Sequence, residues 1–475
     1  MRSRAFQLSD AAFAALGAGR PDAGTLDTLC RAQLSRTLLL LRELRRRHPA
    51  APAWYSRIVA AGPDEGNRLI ADPMTGLWAA RALRAGDPAE DFEIEGRPLA
   101  AVHRDLRLRV RVDDSSPLRH EFGLPPAEPL TDAGRDHWQR CLDEAWRVLV
   151  TRHRPAAEML AAILRVIVPV RPDPAAEGIS ATSSEAFGAV AMSAPADATA
   201  LAVGLLHETV HSVLNATNLL FDLVRPGGGT GYSPWRDDPR PASGVLHGTY
   251  AYLAVTRYWR TELAHAADPG AAFEFARWRV AVADAARRLL AGGELTPAGV
   301  RFVTALLDEV RPWLDEPVDP EAVRLADLAR TDHHLRWRLR NLTVTPEHAA
   351  ALAGAWRAGR PPPPPVPSIT AHVPGRALEN SPRLRLARAF LRREDDDPAG
   401  RATAGDLACV RGDSGAAVTA YQIDLEKDRN RDLTWAGLAL VSPHPGLRSR
   451  PELVKAAALA VPEAPVDELA DWLSG

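Results

Sequence analysis

The sequence predicts a mainly α protein with a small β-sheet. Three observations carry this expectation. Apolar residues recur at helical spacing through the first ~85 positions and again from about Ala198 to Arg357. Strand-like runs are few and short, and they fall between these two helical regions. A proline run from Pro361 to Pro365, extended to Pro367, then precedes a further helical stretch.

In chain order, Ser9 suits the N-cap of a helix starting with Ala11–Leu16, and Leu26–Arg47 carries a helical apolar stripe. Leu106–Val112 alternates apolar residues with arginine, the period of a half-buried strand. Leu142–Arg152 and Pro155–Leu164 read as helices, and the β-branched run Arg165–Val170 and the run Gly188–Ser193 as strands. A long helix is expected from Ala198 to Val224, interrupted by a Gly/Pro-rich segment, Arg225–Pro241. Helix resumes near Ser243 and runs to about Ala267, followed by Ala271–Ala291, Pro297–Trp313, Pro320–Arg330 and Glu347–Arg357.

The composition bounds the function. The 475 residues suit two or three domains, and 46% hydrophobic with 25% charged residues is ordinary for a globular chain. A net charge of -2 gives no global basic field, so no nucleic acid partner is expected. Lys427 and Lys455 are the only lysines, so nearly every cation is arginine. Cys30, Cys141 and Cys409 lie far apart without metal-ligand spacing, which suits a reducing compartment. No apolar run approaches the ~20 residues of a membrane helix. Asp10 interrupts the only apolar stretch near the N-terminus, which therefore does not read as a signal peptide. The expected location is cytoplasmic, with no membrane partner.

The chemistry concentrates in His207-Glu208-Thr209-Val210-His211. Two histidines four residues apart on a helix share one face, about one turn apart, and offer two cis positions to a divalent metal. Glu208 is rotated about 100° from His207 and suits a metal-bound water or an outer contact rather than the metal itself. Leu201, Val203, Leu205, Leu206, Val210, Val213 and Leu214 make this helix a buried one, where His, Glu and His are costly without partners. The metzincin pattern needs Gly and His where this chain has Leu214 and Thr217. A third ligand must therefore come from elsewhere. Glu262 or Glu274 would follow the glutamate-type zincins. His247 is the stronger candidate, lying between Gly244 and Gly248 near the start of the next helix. The segment before it, Tyr232–Pro241, is stiffened by proline and holds Arg236, Arg240, Asp237 and Asp238. It reads either as a loop tied by local ion pairs or as a place where arginine forks onto a carboxylate co-substrate.

At these residues the chain resembles the HExxH-motif peptide-modification proteins of ribosomal peptide pathways. The resemblance rests on His207–His211, on SPWRDDPRP at Ser233–Pro241, and on GVLHGTYAYLAVTRYW at Gly244–Trp259. Ser184–Val190, the N-terminal FQLSDAAFAAL and the tail fit as well. It implies an iron(II)- and 2-oxoglutarate-dependent dioxygenase that uses O2 to hydroxylate a side-chain β-carbon, often of Asp, in a precursor peptide. By position, the metal ligands would be His207, His211 and His247, with Glu208 as the catalytic carboxylate. Ser184, Phe187 and Tyr250 would lie at the substrate. The distal carboxylate of 2-oxoglutarate would need an arginine, with Arg236 and Arg240 as first candidates and Arg338 as a third. A zinc metallopeptidase maturing a peptide is the alternative, and a non-enzymatic peptide-binding protein with a structural metal is another.

The expected organisation is a metal-binding helix domain over 1–360, a proline-rich linker over 361–380 and a helical tail over 381–475. In the tail, Gly412-Asp413, then Ala417, Tyr421 and Leu425, then Trp435-Ala436 resemble one tetratricopeptide-type unit. The tail is expected to be separable and to grip a precursor peptide or to dock on the main domain.

Overall fold

The computed structural model describes residues 6–48, 53–86, 93–94, 96–174, 176, 178–364, 368–369, 381–394 and 400–474. The fold is mainly α with a small β-sheet, as the periodicity predicts. The chain divides into two compact units, neither of them a single stretch of sequence. The first comprises 1–226, 246–262 and 282–315; the second comprises 227–245, 263–281 and 316–475. The division therefore does not fall at the proline run. Most of the expected linker, including Pro365, Pro367 and 370–380, lies outside the described residues.

The first unit is built on a mixed sheet of five strands among the described residues. They are β1 (Arg97–His103), β2 (Leu106–Val112), β3 (Val166–Val170), β4 (Ser180–Ala181) and β5 (Ala189–Ser193), in the spatial order β1-β2-β3-β5-β4. β1 and β2 form an antiparallel hairpin, β3 runs parallel to β2 and β5, and β4 closes the far edge antiparallel to β5. Every residue of β3 and β5 is buried, which is why both read as continuous apolar runs rather than alternating ones. On one face, Val166, Val168, Ala189 and Ala191 share a core with Leu41 and Leu44 of helix Ala23–Arg47 and with Leu77 and Trp78 of helix Pro73–Ala85. Alternation sends Met192 to the opposite face, where its Cε would lie 2.9 Å from a Cβ at Gly204. The absent side chain at Gly204 thus lets helix Ala198–Leu220 approach β5 closely.

That helix starts on the Asp197 cap, whose carboxylate accepts the Ala200 N–H at 2.8 Å. It ends at Leu220, four residues before the expected Val224, because the following backbone is used elsewhere. The Leu223 carbonyl accepts the Thr296 N–H, and Val224 bridges Leu295.

In the second unit, the Gly/Pro-rich segment is a two-stranded hairpin rather than a loop: β6 (Thr230–Ser233) pairs antiparallel with β7 (Arg236–Pro241). Helix Pro320–Asn341 runs eleven residues past the expected Arg330. Its C-terminal Asn341 amide donates to the Asp237 carbonyl at 2.8 Å. The tail is not a satellite of this unit. Leu335, Leu352 and Ala353 share one core with Ala417, Tyr421, Trp435, Leu453 and Leu469. The reason is the one the sequence hinted at: one helical repeat cannot bury its own apolar face.

Helices Ala404–Arg411 and Ser414–Lys427 meet at Gly412, whose φ of 83° suits glycine, and Asp413 caps the second helix. The Tyr421 ring lies between Gly405 and Gly437: a Cβ at either would fall 2.7 Å and 2.6 Å from Tyr421 Cε1, respectively. The Tyr421 hydroxyl donates to Asp406 at 2.8 Å, and buried Arg383 joins Asp406 to Asp332 through bonds of 2.5 and 2.8 Å. We predict that Gly437→Ala, which forces a methyl into this ring, lowers stability by about 1–3 kcal/mol. Urea denaturation followed by tryptophan fluorescence measures it; an unchanged midpoint contradicts the packing described.

Candidate metal centre

The HExxH sequence lies in the middle of helix Ala198–Leu220. Its two imidazoles meet tip to tip: His207 Nε2 and His211 Nε2 are 3.1 Å apart, with ring planes at 83°. Two nitrogens bound cis to one ion at ~2.1 Å sit roughly 3.0–3.4 Å apart, so the pair fits a single divalent metal without rearrangement. Burial depresses the pKa of both rings, and at His211 the neighbouring His207 and His247 depress it further. Burial thereby favours the neutral form of both rings, the form that ligates a metal. Buried His211 Nδ1 has no hydrogen-bond partner among the described residues, so the polar anchorage of that ring is through Nε2.

Helix Ala242–His265 supplies two more rings. His247 stacks near His211, centroids 5.5 Å apart and planes at 30°. Tyr252 meets His207 edge-on at 5.3 Å. The order 211–207 on one helix matches 247–252 on the other, which is the pairing of helices that run in opposite senses. The donor atoms of His207, Glu208 and His211 all lie within 4.8 Å of one another.

Glu208 is 2% exposed. Ser180 Oγ, on β4, donates to Oε1 at 2.6 Å, and the Thr182 hydroxyl just beyond it donates to Oε2. Thr182 also donates to the Glu208 carbonyl at 3.2 Å. Both carboxylate oxygens are therefore engaged, and Oε1 remains 3.9 Å from His207 Nε2.

The other expected site residues divide sharply. Tyr250, expected at the substrate, is a core residue: it is 2% exposed, donates to the Leu16 carbonyl at 2.7 Å and packs on Phe302. The tyrosine at the imidazoles is Tyr252, two residues on, and a two-residue step of about 200° on a helix reverses the face. Ser184 is exposed and Phe187 half-buried, in the segment that leads from Thr182 to β5. Ser180 and Thr182, which hold Glu208, escaped the sequence reading; two hydroxyl residues in a loop carry no signal until the strand is placed. Glu262 is held by Arg152 at 2.6 Å and His153 at 2.7 Å, and Glu274 by Arg388 and Trp278. Of the arginines, Arg236 and Arg240 both bond Asp238, at 2.7 and 3.2 Å, within β7 and its neighbours. Arg338 is paired with Glu452 at 3.0 Å.

Two outcomes follow from this geometry. Thr182→Val leaves one oxygen of a buried carboxylate unpaired and should lower metal-free stability by about 1–3 kcal/mol in chemical denaturation. His207→Ala and His211→Ala should each weaken binding of a divalent metal by at least ~100-fold in anaerobic titration, more than the loss of an outer partner causes. Equal metal affinity in both variants and wild type would remove the centre. Among the described residues no helix is long and apolar enough to cross a membrane. No family model matches the sequence, and no curated protein matches it.

Proposed function

We propose that this chain is an iron(II)- and 2-oxoglutarate-dependent dioxygenase that hydroxylates a side-chain β-carbon of a ribosomally made precursor peptide. The observation that carries the reading is the gathering of three imidazoles, His207, His211 and His247, beside a Glu208 whose two oxygens each accept a hydroxyl hydrogen bond. A zinc peptidase needs that glutamate free to accept a proton from water. Here Ser180 and Thr182 each donate to it, which suits a carboxylate that anchors its helix. The resemblance of the surrounding motifs to peptide-modification proteins supports the same reading.

His207 and His211 would hold the metal, with His247 completing an all-histidine face. Iron with 2-oxoglutarate and oxygen supplies the oxidising chemistry for an unactivated C–H bond when bound. The protein's part is to keep these imidazoles neutral by burial and to fix the helix that bears them through Glu208. The Tyr252 ring meets His207 edge-on and restricts it from the side. A 2-oxoglutarate carboxylate requires a guanidinium, and Arg236, Arg240 and Arg338 are the candidates. Arg236 and Arg240 both pair with Asp238.

Anaerobically prepared protein given iron(II), 2-oxoglutarate and then oxygen should form succinate, and His207→Ala or His211→Ala should abolish this. A peptide substrate should gain one oxygen with its chain intact. Replacing the responsible arginine by Ala should raise the 2-oxoglutarate KM by ~10–100-fold while leaving iron content unchanged. Peptide cleavage with zinc, and no succinate with iron, would overturn the proposal in favour of hydrolysis.

A further inference from the structure

Away from the imidazoles, the first unit contains a cavity of about 100 Å3. Helix Ala23–Arg47, the start of helix Pro73–Ala85 and the segment before β5 enclose it, with Cys30, Gln33, Arg36, Thr37, Arg165 and Glu185 in its lining. None of its lining residues belongs to the imidazole cluster.

Its lining holds two arginines, Arg36 and Arg165, and two carboxylates, Asp72 and Glu185. Glu185 is bonded by Arg84, and Asp72, at the rim, is gripped by Arg111 through two bonds of 2.9 Å. Both lining carboxylates are thus spent on arginines outside the cavity. Arg165 donates to the carbonyls of Ala161, Ala162 and Leu164 at 2.6–3.0 Å, at a helix C-terminus whose partial negative charge favours a cation. Arg36 is half-buried and makes no hydrogen bond or ion pair among the described residues. Arg36 feels the charge of Glu185 across this space but has no hydrogen-bonded carboxylate there among the described residues.

We propose that this cavity is a second ligand site, one that takes a carboxylate on the free guanidinium fork of Arg36 with Arg165 as supporting charge. A planar carboxylate matches that fork in two-point contact. A phosphate fits less well, since its second charge meets Glu185 and Asp72. Burial pulls the pKa of Arg36 and Arg165 down, and at Arg36 the charge of Glu185 opposes part of that shift. The carboxylate has two possible sources, a free small acid or the acidic side chain of a peptide, and the two are separated by experiment.

Cys30 provides the readout, because it lines the cavity and is half-buried while Cys141 and Cys409 are buried. Alkylation of Cys30 by iodoacetamide in the whole protein, followed by mass spectrometry, is measured with succinate, with N-acetyl-Gly-Asp-Gly-amide, and with potassium chloride at matched ionic strength. Saturable slowing by succinate or by the peptide, and not by chloride, is the expected result, and the more effective probe identifies the source. Arg36→Gln should weaken that protection roughly tenfold or more, and Arg36→Lys, which keeps the charge without the fork, by less. Absence of protection by both probes, equal slowing by chloride, or undiminished protection in a folded Arg36→Gln protein would overturn the proposal.

Discussion

A carboxylate at 2% exposure inside an apolar helix must have its oxygens satisfied, and Glu208 satisfies this on β4 and the residue beyond it. That requirement fixes the rotation of helix Ala198–Leu220 about its own axis. At 100° per residue, His207 and His211 lie about 100° and 60° to the same side of Glu208. Once the carboxylate is turned into the sheet edge, both imidazoles are turned out together toward helix Ala242–His265. The small residue Gly204 permits the close approach to β5 that puts the carboxylate within reach of Ser180. Sheet edge, glycine contact and imidazole pair are therefore one arrangement.

The second unit rests on a comparable device with opposite chemistry. Arg383, 1% exposed, is neutralised by Asp332 and Asp406, and Tyr421 ties into the same carboxylate from between two glycines. Such buried charge clusters rarely add much stability over apolar packing, but they tolerate few alternative alignments. Here the cluster joins three segments distant in sequence: Pro320–Asn341, Pro382–Arg392 and Ala404–Arg411. Register among them is fixed by charge and by the Tyr421 ring, while the apolar contacts of Trp435 and Leu453 fill the space around it.

Much of this was legible in the sequence, for identifiable reasons. The helices are long and strongly periodic, and the imidazole pair needs only a helix and a spacing of four. His247 could be singled out by its flanking glycines. What escaped is what depends on tertiary contact. The hairpin of β6 and β7 reads as a Gly/Pro-rich loop, since Pro239 and Pro241 sit in a strand whose only partner among the described residues is β6. Tyr250 and Tyr252 are indistinguishable until the burial of each helix face is known. Ser180 and Thr182 become meaningful only when β4 lies beside Glu208. That a single repeat needs other helices to cover its apolar face could be read in sequence, but that Leu335 and Leu352 complete it could not.

The interleaving of the two units bears on how the chain leaves the ribosome. Asp237 receives its bond from Asn341, 104 residues later. At synthesis rates of roughly 5–20 residues per second, the hairpin waits about 5–20 s for that partner. During this interval Trp235, Asp237 and Asp238, all buried in the finished fold, are without the helix Pro320–Asn341. The two prolines of β7 withhold backbone donors from any passing strand over the same period. A segment whose prolines look like an obstacle to β-structure is thereby suited to remain unpaired in a nascent chain until its own helix arrives.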